Sequence, residues 1–348
     1  MNTNGQVSGD AQAGNGCAAP HPAPGPAASM TQEHALVVDN AAAGAYRRLV
    51  LQAPVIAERA RPGHFVACAT GPRNGSGALL LRRAFSLHRA DPATGTIELV
   101  VADHAPGTHW ICTRAPGELL DLLGPGGRGF ALPQDDAACV LVGGGYGSAP
   151  LFWLADELRA RGNRADLVLG AANTPRLFGH DLHQRAPHAA GASGPGSGMT
   201  YLVTEDGSLG SRGRVSDVLG EVIAAAQARL VYACGPMAML RAVHQLAHPL
   251  GVPTQLAVEE SMACGIGVCM TCVLPVVGAD GQTRMARSCV DGPVLSGASL
   301  RWDAIDIAAG RATSRVPSDC LGAPLPPAHT PNDRKAADTA VTEPGENR

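Results

Sequence analysis

Four cysteines within 26 residues constrain this chain more than any other feature. Cys264-Gly-Ile-Gly-Val-Cys269-Met-Thr-Cys272 is followed by Cys289 after sixteen intervening residues. The order C-x4-C-x2-C…C is the plant-type ferredoxin pattern for a 2Fe–2S cluster. Three thiolates from one tight loop must converge on two irons while backbone N–H groups face the sulfurs, and Gly265 and Gly267 give that loop access to positive φ. The fourth thiolate arrives from a separate segment. A four-cysteine zinc site more often shows paired C-x2-C knuckles, so iron is the stronger reading and zinc its alternative. Cys17, Cys68, Cys112, Cys139, Cys234 and Cys320 are scattered singly. The first thirty residues hold no charged segment followed by an apolar run, so an exported disulfide framework is not the expectation.

The remaining composition removes several classes of function. With 27 basic and 30 acidic residues, the net charge of −3 gives no electrostatic footprint for nucleic acid. No run of about eighteen apolar residues exists to span a bilayer. The expectation is a soluble, cytoplasmic chain that partners neither nucleic acid nor membrane.

The rhythm of the sequence divides it. Residues 1–32 are Gly-, Ala- and Pro-rich and read as a disordered arm, and 306–348 as a flexible tail, because neither can bury enough apolar surface to offset ordering. Residues 186–198 form a low-complexity insert. Between 33 and 134 the apolar runs are short, partly alternating and broken by turn residues, as in YRRLVLQA at 46–53 and TIELVVA at 96–102. This predicts an antiparallel all-β barrel or sandwich. From 135 to 258, apolar strands such as ACVLVGG (138–144) alternate with helix-length segments such as PLFWLADELRARG (150–162), which predicts a doubly wound α/β domain. Residues 259–305 are too few for a core of their own and predict a small C-terminal 2Fe–2S module. The fold class is thus multidomain α+β.

Three weaker motifs lie upstream of the thiols. Gly143, Gly144, Gly145 and Gly147 follow an apolar strand and open a helix, a place where backbone can approach a phosphate. A strict G-x-G-x-x-G is absent, since its last position falls on Ser148, and a plain strand–helix turn explains the run equally well. Arg83-Ala84-Phe85-Ser86 offers a guanidinium for a pyrophosphate and a hydroxyl for a ring edge, or simply a surface arginine on a strand. Cys234-Gly235-Pro236 ends one strand and opens a helix, at the edge where parallel sheets bind ligands. Its alternative is a buried cysteine before a proline helix start.

Taken in order, these pieces resemble the electron-transfer subunit of the two-subunit (class 1B) dihydroorotate dehydrogenases, a branch of the ferredoxin–NADP reductase superfamily. The resemblance spans about Leu36 to Leu300. It is carried by LRRAFSL, Gly107-Thr108, GPGGRGF at 124–130, GGGYGSAPL, TEDGSLGSRGRVSDVL at 204–219, YACGPMAML at 232–240, VEESMACGIGVCMTC at 258–272 and CVDGPVL at 289–295. It implies an FAD-binding barrel, a nicotinamide-binding domain and a cluster module. Arg83, Ala84, Phe85, Ser86, Val100, Val101, Ala102 and a Gly107-Thr108 turn are implied FAD contacts. Cys264, Cys269, Cys272 and Cys289 are implied cluster ligands, and Cys234 would sit near the nicotinamide as a catalytic residue. Relatives carry tyrosine-arginine where this chain has Val101-Ala102. The implied function is passage of electrons from NADH through FAD and the cluster to an FMN-containing dihydroorotate dehydrogenase catalytic subunit, in a heterotetramer of two copies of each. Two rival readings remain: a diaphorase-like subunit serving a hydrogenase or another redox complex, and a zinc-stapled scaffold without redox chemistry. Arg176, after the second strand of the nucleotide domain, either meets a 2′-phosphate or faces water.

Overall fold

The computed structural model describes residues 25, 27–71, 79–180, 198–278 and 280–305. Six strands close into a barrel in the order β1-β2-β5-β4-β3-β6: β1 (Thr31–Ala43), β2 (Tyr46–Gln52), β3 (Phe65–Cys68), β4 (Arg83–Asp91), β5 (Thr96–Ala102) and β6 (Leu119–Gly126). Every pairing is antiparallel. The period-two pattern dictates which side chains fill it. Leu49 and Leu51 point inward from β2, and Ile97 and Leu99 from β5. They meet Val66, Leu87, Leu120 and Leu122 in one fully buried cluster. Each such side chain contributes about 1.5–3 kcal/mol by leaving water. Two short helices interrupt the barrel, α1 (Pro54–Arg59) and α2 (Pro106–Cys112).

The second unit is a seven-stranded sheet in the order β10-β9-β8-β7-β11-β12-β15. Its strands are β7 (Ala138–Gly144), β8 (Arg164–Ala171), β9 (Thr200–Thr204), β10 (Ser211–Arg212), β11 (Leu230–Cys234), β12 (Thr254–Ala257) and β15 (Val294–Ser296), and its helices are α3 (Ala149–Ala160), α4 (Val215–Ala226) and α5 (Met237–Ala247). All pairings are parallel except that of β15 with β12. The strand order reverses between β7 and β11, which makes that carboxyl edge the switch point where such sheets hold ligands. A hairpin of β13 (Val273–Val277) and β14 (Thr283–Arg287) completes the fold beside the thiol loop.

The barrel and the sheet are locked together by polar contacts. His88 sits at a bulge in β4, buried, with Nδ1 2.7 Å from the Ala149 carbonyl, and burial lowers its pKa. Tyr46 donates to the Arg176 carbonyl (2.8 Å), and Tyr232 and Gln255 both donate to that of Ala131. Among the described residues no helix is long and apolar enough to cross a membrane.

Two expectations shift. The arm does not run to residue 32. Gly25 and Ala28 donate backbone bonds to Gly129 and Gly127, and β1 starts at Thr31, so main-chain pairing orders a stretch whose side chains bury little. Gly107-Thr108 is the start of a helix rather than a turn. The cluster block, too short for a core of its own, leans on its neighbour, because Val294–Ser296 joins the nucleotide sheet. The expected flexible tail (306–348), most of the 186–198 insert and the first 24 residues lie outside the described residues.

Candidate functional site

The glycine run after β7 shapes the floor of the site by contact. A Cβ on Gly147 would lie 2.7 Å from the Gly235 Cα and 2.8 Å from the Cys234 carbonyl, so the ends of β7 and β11 meet backbone to backbone. A Cβ on Gly143 would strike the side chain of Ser148 at 2.6 Å, and one on Gly144 the Met239 sulfur at 2.8 Å. Two clefts open from this floor. The larger, about 480 Å³, runs over Gly144, Gly145 and Pro236 toward Gly170, Arg176 and Arg214. The smaller, about 310 Å³, runs between Gly147 and the barrel. Gly143 and Cys234 line neither. Cys234 is buried beneath the floor, and desolvation, reinforced by the charge of Glu259, holds its thiol well above the ordinary range. It is thus a neutral packing group under the site.

On the barrel side, Arg83, Ala84, Phe85, Ser86, Val100, Ala102 and Thr108 all line the smaller cleft. Val101 does not: strand alternation turns it into the barrel core, 1% exposed. Gly107 acts by what it lacks, since a Cβ there would stand 2.7 Å from the Arg83 Nε. The Arg83 guanidinium therefore crosses the first turn of α2. Among the described residues it has no acidic partner and donates only to the carbonyls of Leu81 and Arg82. The Thr108 hydroxyl accepts from the backbone of His104 and Ala105 and donates to the Ala105 carbonyl, so it caps α2. An unpaired arginine beside an apolar slot fits the anionic linkage and flat ring of FAD.

The two clefts share a wall, Tyr146 and Glu259. The Tyr146 hydroxyl donates to Glu259 Oε2 at 3.3 Å, and its ring stands edge-on to Tyr46 at 5.9 Å. Burial pushes the Glu259 carboxyl up to about 7, and the Glu259 charge together with burial raises the Tyr146 phenol. Glu260 faces the smaller cleft; burial raises its carboxyl to about 7 as well, and its Oε1 lacks a hydrogen-bond partner. These three residues went unmarked in the sequence. The signal for Glu259 and Glu260 was a Val-Glu-Glu run leaving an apolar strand at the carboxyl edge of a parallel sheet, and Tyr146 is the one large side chain within the glycine run after β7.

The thiol loop has the geometry its glycines foretold, with φ of +72° at Gly265, +82° at Gly267 and +56° at Met270. Ile266 and Cys269 aim backbone N–H groups at the Cys264 sulfur (3.5 and 3.4 Å), and the Thr271 hydroxyl donates to that of Cys269 at 3.2 Å. The Thr271 hydroxyl and neighbouring donors lower the Cys269 thiol to about 6, whereas burial and then Cys272 raise that of Cys289 to about 12. The four thiols thus divide by exposure, Cys264 and Cys269 on the outer side of the loop and Cys272 and Cys289 buried. Among the described residues, no three His, Cys, Asp or Glu side chains gather tightly enough around one point to hold a single metal ion. An outer and an inner pair on a C-x4-C-x2-C loop suit a two-iron cluster, with two thiolates on each iron. Cys272 and Cys289 pack on Phe65 and Ala67, and Phe65 also lines the smaller cleft.

Residues 259–301 match the iron–sulfur cluster binding domain of dihydroorotate dehydrogenase B, and residues 141–245 match the oxidoreductase NAD-binding domain. A relative from Geobacillus thermodenitrificans, named dihydroorotate dehydrogenase B (NAD(+)), electron transfer subunit, is 37% identical over 253 residues, 71% of this chain and 89% of that one. A relative of the same name from Enterococcus faecalis is 34% identical, covering 73% of this chain and 91% of that one. Among solved structures, the NADH-dependent reduced ferredoxin–NADP oxidoreductase superposes with a TM-score of 0.65 at 26% identity, over 78% of this chain and 91% of that chain. A ferredoxin reductase of carbazole 1,9a-dioxygenase shares the fold at a TM-score of 0.52 and 19% identity, over 65% of this chain and 68% of that chain.

Proposed function

The chain belongs to the electron transfer subunits of dihydroorotate dehydrogenase B, and from that membership we propose that it carries electrons from NADH, through FAD and a 2Fe–2S cluster, to a catalytic subunit that interconverts dihydroorotate and orotate. In this reading the partner holds FMN, two copies of each subunit assemble, and the complex works in the cytoplasm. The observation that carries it is an order in space. The smaller cleft shares Tyr146 and Glu259 with the nucleotide cleft on one side and Phe65 with the paired thiols on the other. A single chain of contacts joins three sites.

FAD, when bound, supplies a centre that exchanges electrons in pairs with NADH and singly with an iron–sulfur cluster. The chain's residues supply position and field. Arg83, without an acidic partner among the described residues, would hold the anionic linkage, while Phe85, Val100 and Ala102 would form an apolar wall for the ring and Ser86 a polar edge. Gly144 and Gly145 let backbone approach the dinucleotide at the switch point. At the common wall, the Tyr146 hydroxyl donates to Glu259 Oε2 and so holds a proton between the two clefts. Cys264, Cys269, Cys272 and Cys289 hold the irons. The N–H groups of Ile266 and Cys269 and the Thr271 hydroxyl stabilise negative charge on the exposed pair. Phe65 shields the buried pair from the cleft.

The test is joint purification with the catalytic subunit, followed by an assay of NAD-linked orotate formation. The expected outcome is a brown, flavin-containing complex in which both chains are needed for NADH to be formed from dihydroorotate. A chain whose flavin is reduced by NADH but which neither binds that subunit nor supports orotate formation would serve another acceptor.

A further inference from the structure

The nucleotide cleft has two ends. One is the wall at Tyr146 and Glu259; the other lies where β8 and β9 finish, two strand spacings from β7, or roughly 10 Å away. At this far end three charged residues line the cleft: Arg176 in the turn after β8, Glu205 just beyond β9, and Arg214 just before α4. Their backbones are anchored. Glu205 N–H donates to the Ala171 carbonyl at 3.0 Å, Gly213 N–H to that of Thr204 at 3.0 Å, and Arg214 N–H to Asp217 Oδ2 at 2.8 Å. Across the cleft mouth Arg214 Nε stands 3.7 Å from Glu205 Oε1. By charge alone two arginines would invite a phosphate, yet one of them already faces a carboxylate.

We propose that Glu205 determines the preference of this chain for NADH over NADPH. The inference rests on the NADH reading above and names the residue that makes the choice. A carboxylate only accepts hydrogen bonds, so it suits a ribose diol, whose hydroxyls donate. A 2′-phosphate in the same place brings a charge of about −1.5 to −2 against that carboxylate. Glu205 also engages Arg214, which leaves Arg176 as the one guanidinium of the three charged residues without an ion pair among the described residues. Removing the carboxylate frees Arg214 and gives the cleft two unopposed cations where it now has a balanced pair and one cation.

The experiment compares the full flavin-loaded chain with its E205Q and E205S variants. Two ratios are read: kcat/KM for flavin reduction by NADPH over that by NADH, and the affinity for 2′-phospho-AMP over that for AMP, by calorimetry. Both ratios are expected to rise by roughly threefold to tenfold, the size of one like-charge contact between side chains as exposed as Glu205 (57%) and Arg214 (75%). Adding R214A to E205Q is expected to return most of that gain. Ratios within twofold of the unsubstituted chain in both variants overturn the assignment. If NADH fails to reduce the flavin of the unsubstituted chain, the functional reading falls, and the nucleotide affinities still decide the role of Glu205.

Discussion

Glu259 is half-buried in the wall between two clefts, and its proton follows from that. Desolvation lifts its carboxyl from 4.5 to about 7, so between those values the folded chain holds a proton that the unfolded chain has lost. Stability therefore falls as pH rises through this window; below it both states are protonated and the group is neutral to the balance. Replacing Glu259 with Gln removes the slope. The melting temperature of E259Q relative to the unsubstituted chain should rise from pH 5 to pH 8 by roughly a few degrees, with E259Q/E260Q rising further because burial also lifts Glu260 to about 7. His88, buried and lowered, acts in the opposite sense on the acid side but is common to all the chains compared. A pH-independent difference, measured by scanning fluorimetry, would dismiss the buried-carboxyl account. The Val-Glu-Glu run was visible in the sequence, but its partner was not. Tyr146 lies 113 positions away, and only the strand order, which sets β12 two places from β7, brings them together.

At the scale of elements, legibility tracks periodicity. The inward leucines of the barrel and the core-facing positions of α3 repeat over enough residues to announce themselves. By contrast α2 has seven residues and β15 three, too few for any period to register. Val101 entered the flavin set because a resemblance carries contiguous residues; a strand delivers only alternate ones, so Val100 and Ala102 face the cleft and Val101 the core. The close approach of α2 to β4 gives the clearest test of an element pair. Gly107 has no left-handed φ, so alanine suits its backbone, but the added carbon would stand 2.7 Å from the Arg83 Nε. The flexible guanidinium moves and the fold stays. Gly107→Ala should keep the melting temperature of the flavin-free chain while weakening FAD binding by about tenfold, the worth of one charge-assisted contact. The ratio of flavin to protein absorbance after gel filtration reads it. Full flavin retention would mean that Arg83 does not hold the cofactor.

For the whole molecule, the thiol loop carries its centre at the surface. Ile266 is 48% exposed, Val268 75% and Met270 49%, three apolar side chains on the short arc that also bears Cys264 and Cys269. Positive φ at Gly265, Gly267 and Met270 turns that arc outward while Cys272 and Cys289 stay buried against Phe65 and Ala67. Among the described residues these side chains join no apolar cluster, whereas a partner that covers them would desolvate the outer thiol pair and shorten the path for an electron leaving it. On the function proposed above, this loop is the face that the catalytic subunit would cover. A charge placed at its most exposed apolar position would be buried without a counter-ion on assembly, which costs about 2–5 kcal/mol, or roughly thirtyfold to several-thousandfold in affinity. The V268D variant should therefore retain its iron content and its reduction by NADH. On gel filtration with the catalytic subunit at micromolar concentration it should run as separate chains, and NAD-linked orotate formation should fall in proportion. If V268D assembles as tightly as the unsubstituted chain, the partner docks elsewhere and the route out of the cluster does not pass through this loop.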